Sequence, residues 1–269
     1  MNFSHAWSAY WGVAWREMLR FFRQRERFLA ALVRPLVWLV VFAAGFRAAL
    51  GLSIEEPYET YTTYEIYIVP GLIGMVQLFN GMQSSLSMVY DREMGSMRLL
   101  LTAPLPRWFL LLSKLSAGVF VSLLQVYAFL FIARAFGVYL PLDGFVYVLP
   151  VLILTGLMLG ALGLLLSSVI TQIENFAGVM NFVIFPMFFL STALYPLWKM
   201  AESSALLEGI CAFNPFSHAV ELQRFALYGK FNGPALLVVG GCTVLFFLAA
   251  VWSFNPSRRF RPSRGGPPA

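Results

Sequence analysis

Charge is scarce in this sequence. Of 269 residues only 12% are Asp, Glu, Lys or Arg, whereas 59% are hydrophobic. A soluble domain typically carries about 25% charged residues. Too few polar side chains remain to clothe a water-exposed surface, so an integral membrane protein is the expected class. Histidine is equally sparse. His5 and His218 both avoid the middle of an apolar run, so no bis-histidine haem is expected. Two cysteines, Cys211 and Cys242, offer neither metal spacing nor a disulfide framework and read as small apolar residues. No metal site is expected. Also missing are a Gly-x4-Gly-Lys-Ser/Thr loop, a His-Glu-x2-His motif, a Gly-x-Ser-x-Gly elbow and a pair of aspartates within an apolar run. These absences argue against a Walker-type ATP site and an intramembrane hydrolase in this chain. Acids are nearly absent inside the apolar runs, which disfavours an ion-driven carrier. The chain is not expected to be an enzyme.

Apolar runs are what the chain has in abundance. Six stretches, at about 29–50, 66–90, 108–133, 145–168, 175–195 and 234–254, approach the ~20 residues needed to cross a bilayer. The first begins near Phe28 after a basic segment too long for a signal n-region, so it reads as a retained anchor. Residues 1–28 place Trp11, Trp15, Leu19 and Phe22 at helical spacing. Arg16, Arg20, Arg23 and other arginines lie mostly off that stripe, which suits an amphipathic helix in the membrane interface. Residues 29–254 form the spanning domain, with short re-entrant helices expected before the last span. The Arg-, Pro- and Gly-rich residues 255–269 read as a disordered tail.

Charge distribution orients this frame. With the amino terminus in the cytosol, fourteen of the nineteen Lys and Arg fall on the inner side, and the loop 51–65 on the outer side carries Glu55, Glu56, Glu59 and Glu65 with no base. Both termini are then cytosolic. The basic excess, +6 overall, fits lipid headgroups better than nucleic acid, because no basic face is interleaved with aromatics. Arg34 and Arg47 sit near the two ends of the first span, and their stems can snorkel.

The chain is organised around Asp91–Lys114, a polar interruption between two apolar runs. Met94, Met97 and Leu101 suggest a short amphipathic helix, which Pro104 and Pro106 stop. An ordinary cytosolic loop fits the physics equally well. The wording is more specific. Tyr90-Asp91-Arg92-Glu93-x-Gly95 and Leu99-Leu100-Leu101-Thr102-x-Pro104-Leu105-Pro106 resemble the cytosolic loop of type-2 ABC-exporter permeases, including those for polysaccharides and drugs. Asn214-Pro215-Phe216-Ser217-His218-Ala219-Val220-Glu221, with Arg224 to Gly229, resembles the same family's segment before the last span. The likeness covers nearly the whole chain. The wording of Asp91–Trp108 also resembles the permease subgroup associated with bacterial alcohol oxidation.

The resemblance implies an all-α, multi-pass protein of the bacterial inner membrane. It implies a partner ATP-binding subunit carrying ATP and Mg, with no cofactor in this chain. The permease would pair as a homodimer, or as a heterodimer with a paralogue, and move a hydrophobic or amphipathic substrate outward. In the family the loop after the second span is a coupling helix that docks on the ATPase, which implicates Arg92, Glu93, Gly95, Arg98, Pro104 and Pro106. Glu93 is expected to anchor the loop by capping or pairing near the amino-terminal helix, since a carboxylate at a helix start is favourable, and Arg92 and Arg98 to contact the ATPase. The path would lie at the dimer interface, lined by the second and fifth spans, with Phe79, Asn80, Gln83, Asn181, Phe182 and Phe185 as candidates; ordinary helix packing is the alternative role for most of them. The exit side would involve Asn214, Pro215, Glu221 and Arg224. Family members often carry a second proline soon after the position of Pro196. Trp198-Lys199-Met200-Ala201 has none, which leaves the first dipping helix undefined. The alternative is a non-transport subunit or assembly factor of another membrane complex.

Three smaller questions stay open at this level. Thr171–Asn175 is either a tight hairpin or a second ATPase contact. Gly156, Gly160 and Gly163 form a small-residue face that serves packing within one subunit or across a dimer. Glu221 and Arg224 are three apart and placed to pair.

Overall fold

In the computed structural model, residues 3–23, 25–46, 56–58, 62–95, 106–170 and 172–254 are described. These contain helices and no strand. In chain order they are α1 Phe3–Arg23, α2 Arg25–Phe46, α3 Tyr64–Glu93, α4 Arg107–Ala135, α5 Gly144–Val169, α6 Ile173–Phe189, α7 Leu197–Ser203, α8 Ala205–Phe213, α9 Pro215–Leu227 and α10 Gly233–Ser253.

Three of them, α4, α5 and α10, are long and apolar enough to cross a membrane. Leu29–Val41 within α2 and the whole of α6 are shorter apolar stretches. The helices stop where the sequence supplies stops. Asn214 caps α9 by accepting a hydrogen bond from Phe216 N at 2.9 Å, with Pro215 in the first turn. Asn232 does the same for α10 through Ala235 N at 3.1 Å. Pro196 precedes the seven-residue α7, so that helix forms despite lacking the second proline. Prolines also sit inside α2, α3, α5 and α6, as bundled membrane helices tolerate.

Helix α3 is the axis. From Tyr67 to Asn80 every residue is buried, and α2, α4, α5, α6 and α9 all pack on it. Helix α10 packs on α5 and α9, while α1 lies along α4. Glycines set the closest approach. A Cβ on Gly163 of α5 would stand 2.7 Å from the Gly81 carbonyl oxygen of α3, and one on Gly81 would stand 2.9 Å from that of Leu159. Gly156 faces Gln77 and Gly160 faces Leu115. The small-residue face of α5 therefore packs within the subunit.

A sharp test follows from Gly144, whose Cβ would fall 2.0 Å from the Leu227 carbonyl oxygen. Because backbone cannot rotate aside, Gly144→Ala is expected to lose about 1–3 kcal/mol of stability. Gly240→Ala, with nothing within 4 Å, is expected to gain about 0.5–1 kcal/mol from helix propensity. Paired thermal melts in detergent check the contrast, and equal melting temperatures would contradict it.

Candidate coupling site

Four charges meet where α1, α3 and α4 converge. Lys114 Nζ lies 2.9 Å from Asp91 Oδ2 and 3.4 Å from Glu17 Oε1, and Arg16 Nη2 lies 3.1 Å from the same Asp91 oxygen and 2.8 Å from Glu17 Oε1. Asp91 is 1% exposed and Lys114 4%. Ser87 donates to Glu17 Oε2 at 3.3 Å, and Tyr10 donates from α1 to Ser116 Oγ on α4 at 2.6 Å. Burial disfavours the Arg16 charge, yet Glu17 and Asp91 outweigh it and raise the Arg16 pKa above its ordinary value. The sequence builds this locally. Asp91 ends α3 on the buried side, Lys114 enters α4 two turns in, and α1 brings Arg16 and Glu17 on its inner face beside buried Ala14 and Met18. Its outer face leaves Trp7, Trp11 and Trp15 exposed.

The cluster stands at both ends of segment 96–105, which lies outside the described residues together with Arg98 and Pro104. Gly95 closes α3 at φ +74°, a left-handed conformation that glycine adopts freely. Pro106 opens α4, its carbonyl accepting from Phe109 N at 3.0 Å. Glu93 differs from the expectation. Its Oε2 accepts from Ile173 N at 3.3 Å at the start of α6, not from the amino-terminal helix. A carboxylate there complements the four free amides of a helix start. Arg92 donates to the Ile170 carbonyl at 3.3 Å. Together they fasten Ile170 and Ile173 to the end of α3. Asp91, not Glu93, is the carboxylate that holds α1. Arg23 is exposed, and the Arg20 side chain is not among the described ones.

The residues assigned to the path are not brought together. Phe79 and Asn80 are buried on α3, Asn80 donating to Gln125 of α4. Gln83 is half-buried, and Asn181, Phe182 and Phe185 lie exposed along α6. The sequence reading passed over a buried polar knot beside them. Gln77 donates to the Leu152 carbonyl at 2.7 Å, and its own oxygen accepts from Thr155 and from Gln223, both at 2.7 Å. It ties α3, α5 and α9. Glutamine and threonine inside apolar runs were the available signal, as was a lysine within the 108–133 run.

On the opposite end of α3, Arg224 is 2% exposed. It pairs with Glu221, donates to the Thr192 carbonyl at 3.0 Å and lies 4.0 Å over the Tyr67 ring. Tyr67 donates to that same carbonyl at 3.1 Å. Asn214 adds bonds to the carbonyls of Met187 and Leu190 at 2.8 and 2.6 Å. Helix α9 thereby holds the chain leaving α6.

Known proteins share this sequence pattern. The ABC-2 type transporter family matches residues 8–228. The chain is 32% identical over 224 residues to the assigned transport permease ycf38 of Pyropia yezoensis, covering 81% of this chain and 72% of that protein. It is 28% identical over 179 residues to YbhR of Escherichia coli K12, assigned as a multidrug ABC transporter permease, covering 64% of this chain and 46% of that one. Nodulation protein J of Rhizobium leguminosarum bv. viciae is 22% identical over 222 residues, 82% and 83% of the two chains. Helices, buried polar ties and a match spanning most of the chain agree: this protein belongs to the ABC-2 type transporter family of membrane permeases.

Proposed function

We propose that this chain is the membrane half of an ATP-driven exporter of the cytoplasmic membrane. Its six apolar stretches cross the bilayer with both termini in the cytosol, and it moves a hydrophobic or amphipathic substrate outward. Permeases of this family work with an ATP-binding subunit. Here that subunit docks on the segment between Gly95 and Pro106, and two permease chains associate along α2 and α6. The exposed Val33, Val37 and Val40 of α2 and Phe182, Phe185 and Phe189 of α6 support that choice, because a row of large apolar side chains suits a partner chain or lipid.

One observation carries the reading: the Arg16–Glu17–Asp91–Lys114 cluster at the root of the docking segment. A push on a loop is useful only if its ends do not yield. Buried ion pairs joining α1, α3 and α4, with Arg92 and Glu93 reaching the α6 turn, turn the two ends into one rigid block. Force applied between residues 95 and 106 then reaches four helices together. The same cluster gives α1 a mechanical role in addition to its lipid-facing tryptophans.

A photo-crosslinker at Ser96 in native membranes tests this. Capture of an ATP-binding subunit, identified by mass and lost when residues 96–105 are deleted, is the expected result. An intact, folded protein that captures no such subunit would sink the exporter reading in favour of a subunit of another membrane complex.

A further inference from the structure

Arg34 lies in the apolar part of α2, five residues after Leu29. Its guanidinium carbon lies 3.7 Å from the centroid of the Phe79 ring. Phe79 is buried and sits near the midpoint of the 30-residue α3. The Arg34 head therefore rests on an aromatic ring within the helix bundle. Arg34 is half-buried, and among the described residues no carboxylate lies within ion-pairing distance of it.

An arginine open to hydrocarbon within an apolar stretch is costly, so its open face requires water, protein or a ligand. The thirteen acidic residues fall at 17–26, 55–65, 91–93, 143, 174 and 202–221, none of them in the apolar part of α2 that carries Arg34. Glu26, the nearest along α2, is eight residues or ~12 Å away by helical rise. The cation thus has one face backed by Phe79 and the other facing outward, where Val37 and Val41 continue the exposed side of α2.

We propose that Arg34 is the anion-recognising residue of the transport path, and that the cargo is an amphiphile whose headgroup carries a phosphate or carboxylate. This rests on the permease reading and narrows its substrate class. The planar guanidinium offers two parallel N–H donors to such a group. Phe79 holds its orientation by cation–π contact, and the cargo's alkyl part lies along Val37 and Val41.

The test uses the full-length chain in phosphatidylcholine nanodiscs, with no ATPase present. Binding of 12-(1-pyrenyl)dodecyl phosphate is compared with that of 12-(1-pyrenyl)dodecanol, each corrected for empty nanodiscs. The phosphate is expected to bind about tenfold tighter, the scale of one charge-assisted contact. Arg34→Gln is expected to abolish the preference and Arg34→Lys to keep part of it. A diazirine-bearing alkyl phosphate is expected to label the 29–41 peptide of the wild-type chain, which decides the matter even if Arg34→Gln does not fold. Equal binding of the two probes, a preference unchanged by Arg34→Gln, labelling elsewhere, or displacement by inorganic phosphate alone would each overturn the proposal. Capture of an ATPase at Ser96 without any anion preference would remove this inference and leave the permease reading standing.

Discussion

Asp91→Asn is expected to cost up to about 3–5 kcal/mol, because it puts a neutral amide at 2.9 Å from the buried Lys114 and leaves Glu17, at 3.4 Å, as the remaining acid for both Lys114 and Arg16. Lys114 is 4% exposed and Asp91 1%, so neither is rescued by solvent once its partner is gone. The melting temperature in detergent is expected to fall by on the order of 10 °C. Lys114→Met strands Asp91 in the same way, although Arg16 at 3.1 Å keeps part of its charge balanced. The double variant D91N/K114M is expected to recover part of the loss, since removing both charges removes the uncompensated one. An internal control is the Lys199–Glu202 pair, at 2.7 Å but with side chains 44% and 56% exposed. Lys199→Ala is expected to change stability by about 1 kcal/mol or less. If Asp91→Asn shifts the melt no further than Lys199→Ala, the cluster is not the rigid root described above.

The pair on α9 is expected to show an asymmetry. The Arg224 side chain is 3% exposed and the Glu221 side chain 24%. When Arg224→Met removes the cation, Glu221 can turn to solvent. When Glu221→Leu removes the anion, the guanidinium stays buried with only the Thr192 carbonyl and the Tyr67 face for company. Glu221→Leu is therefore expected to be the worse of the two, by a loss of about 3–5 kcal/mol. Retention of monodisperse protein after a temperature ramp, read by size exclusion, gives the order. The reverse order would mean that Arg224 has another counter-charge and that Glu221 is incidental. Because α9 also holds the chain after α6 through Asn214, Glu221→Leu should loosen that connection first. Faster proteolysis between residues 190 and 204 reports it.

Much of the helical layout was legible from hydropathy alone. The expected spans 108–133, 145–168 and 234–254 correspond to α4, α5 and α10 within two residues at each end, since apolar length and helix length are set by the same bilayer dimension. The helix start at Asn214-Pro215 has a local cause, since a cap acts on amides two or three residues ahead; Asn232 caps α10 in the same way, a start the sequence reading did not single out. The Glu221–Arg224 pair was legible because three residues bring two side chains to one helix face. The partner of Glu93 was not. It lies eighty residues away at Ile173, and nothing in a local pattern says which helix start a carboxylate will meet.

What the sequence by itself determined, then, is composition-driven and short-range. An apolar, helical membrane chain, its caps and breaks, and its family likeness all follow from residue type and spacing. The tertiary structure alone decided the long-range choices. It put Asp91 between Lys114 and Arg16. It turned the glycine face of α5 inward against α3, and it laid Arg34 over Phe79. Each choice depends on how helices far apart in the chain rotate and slide against one another. Close packing fixes those two variables, and no residue spacing along a single helix encodes them.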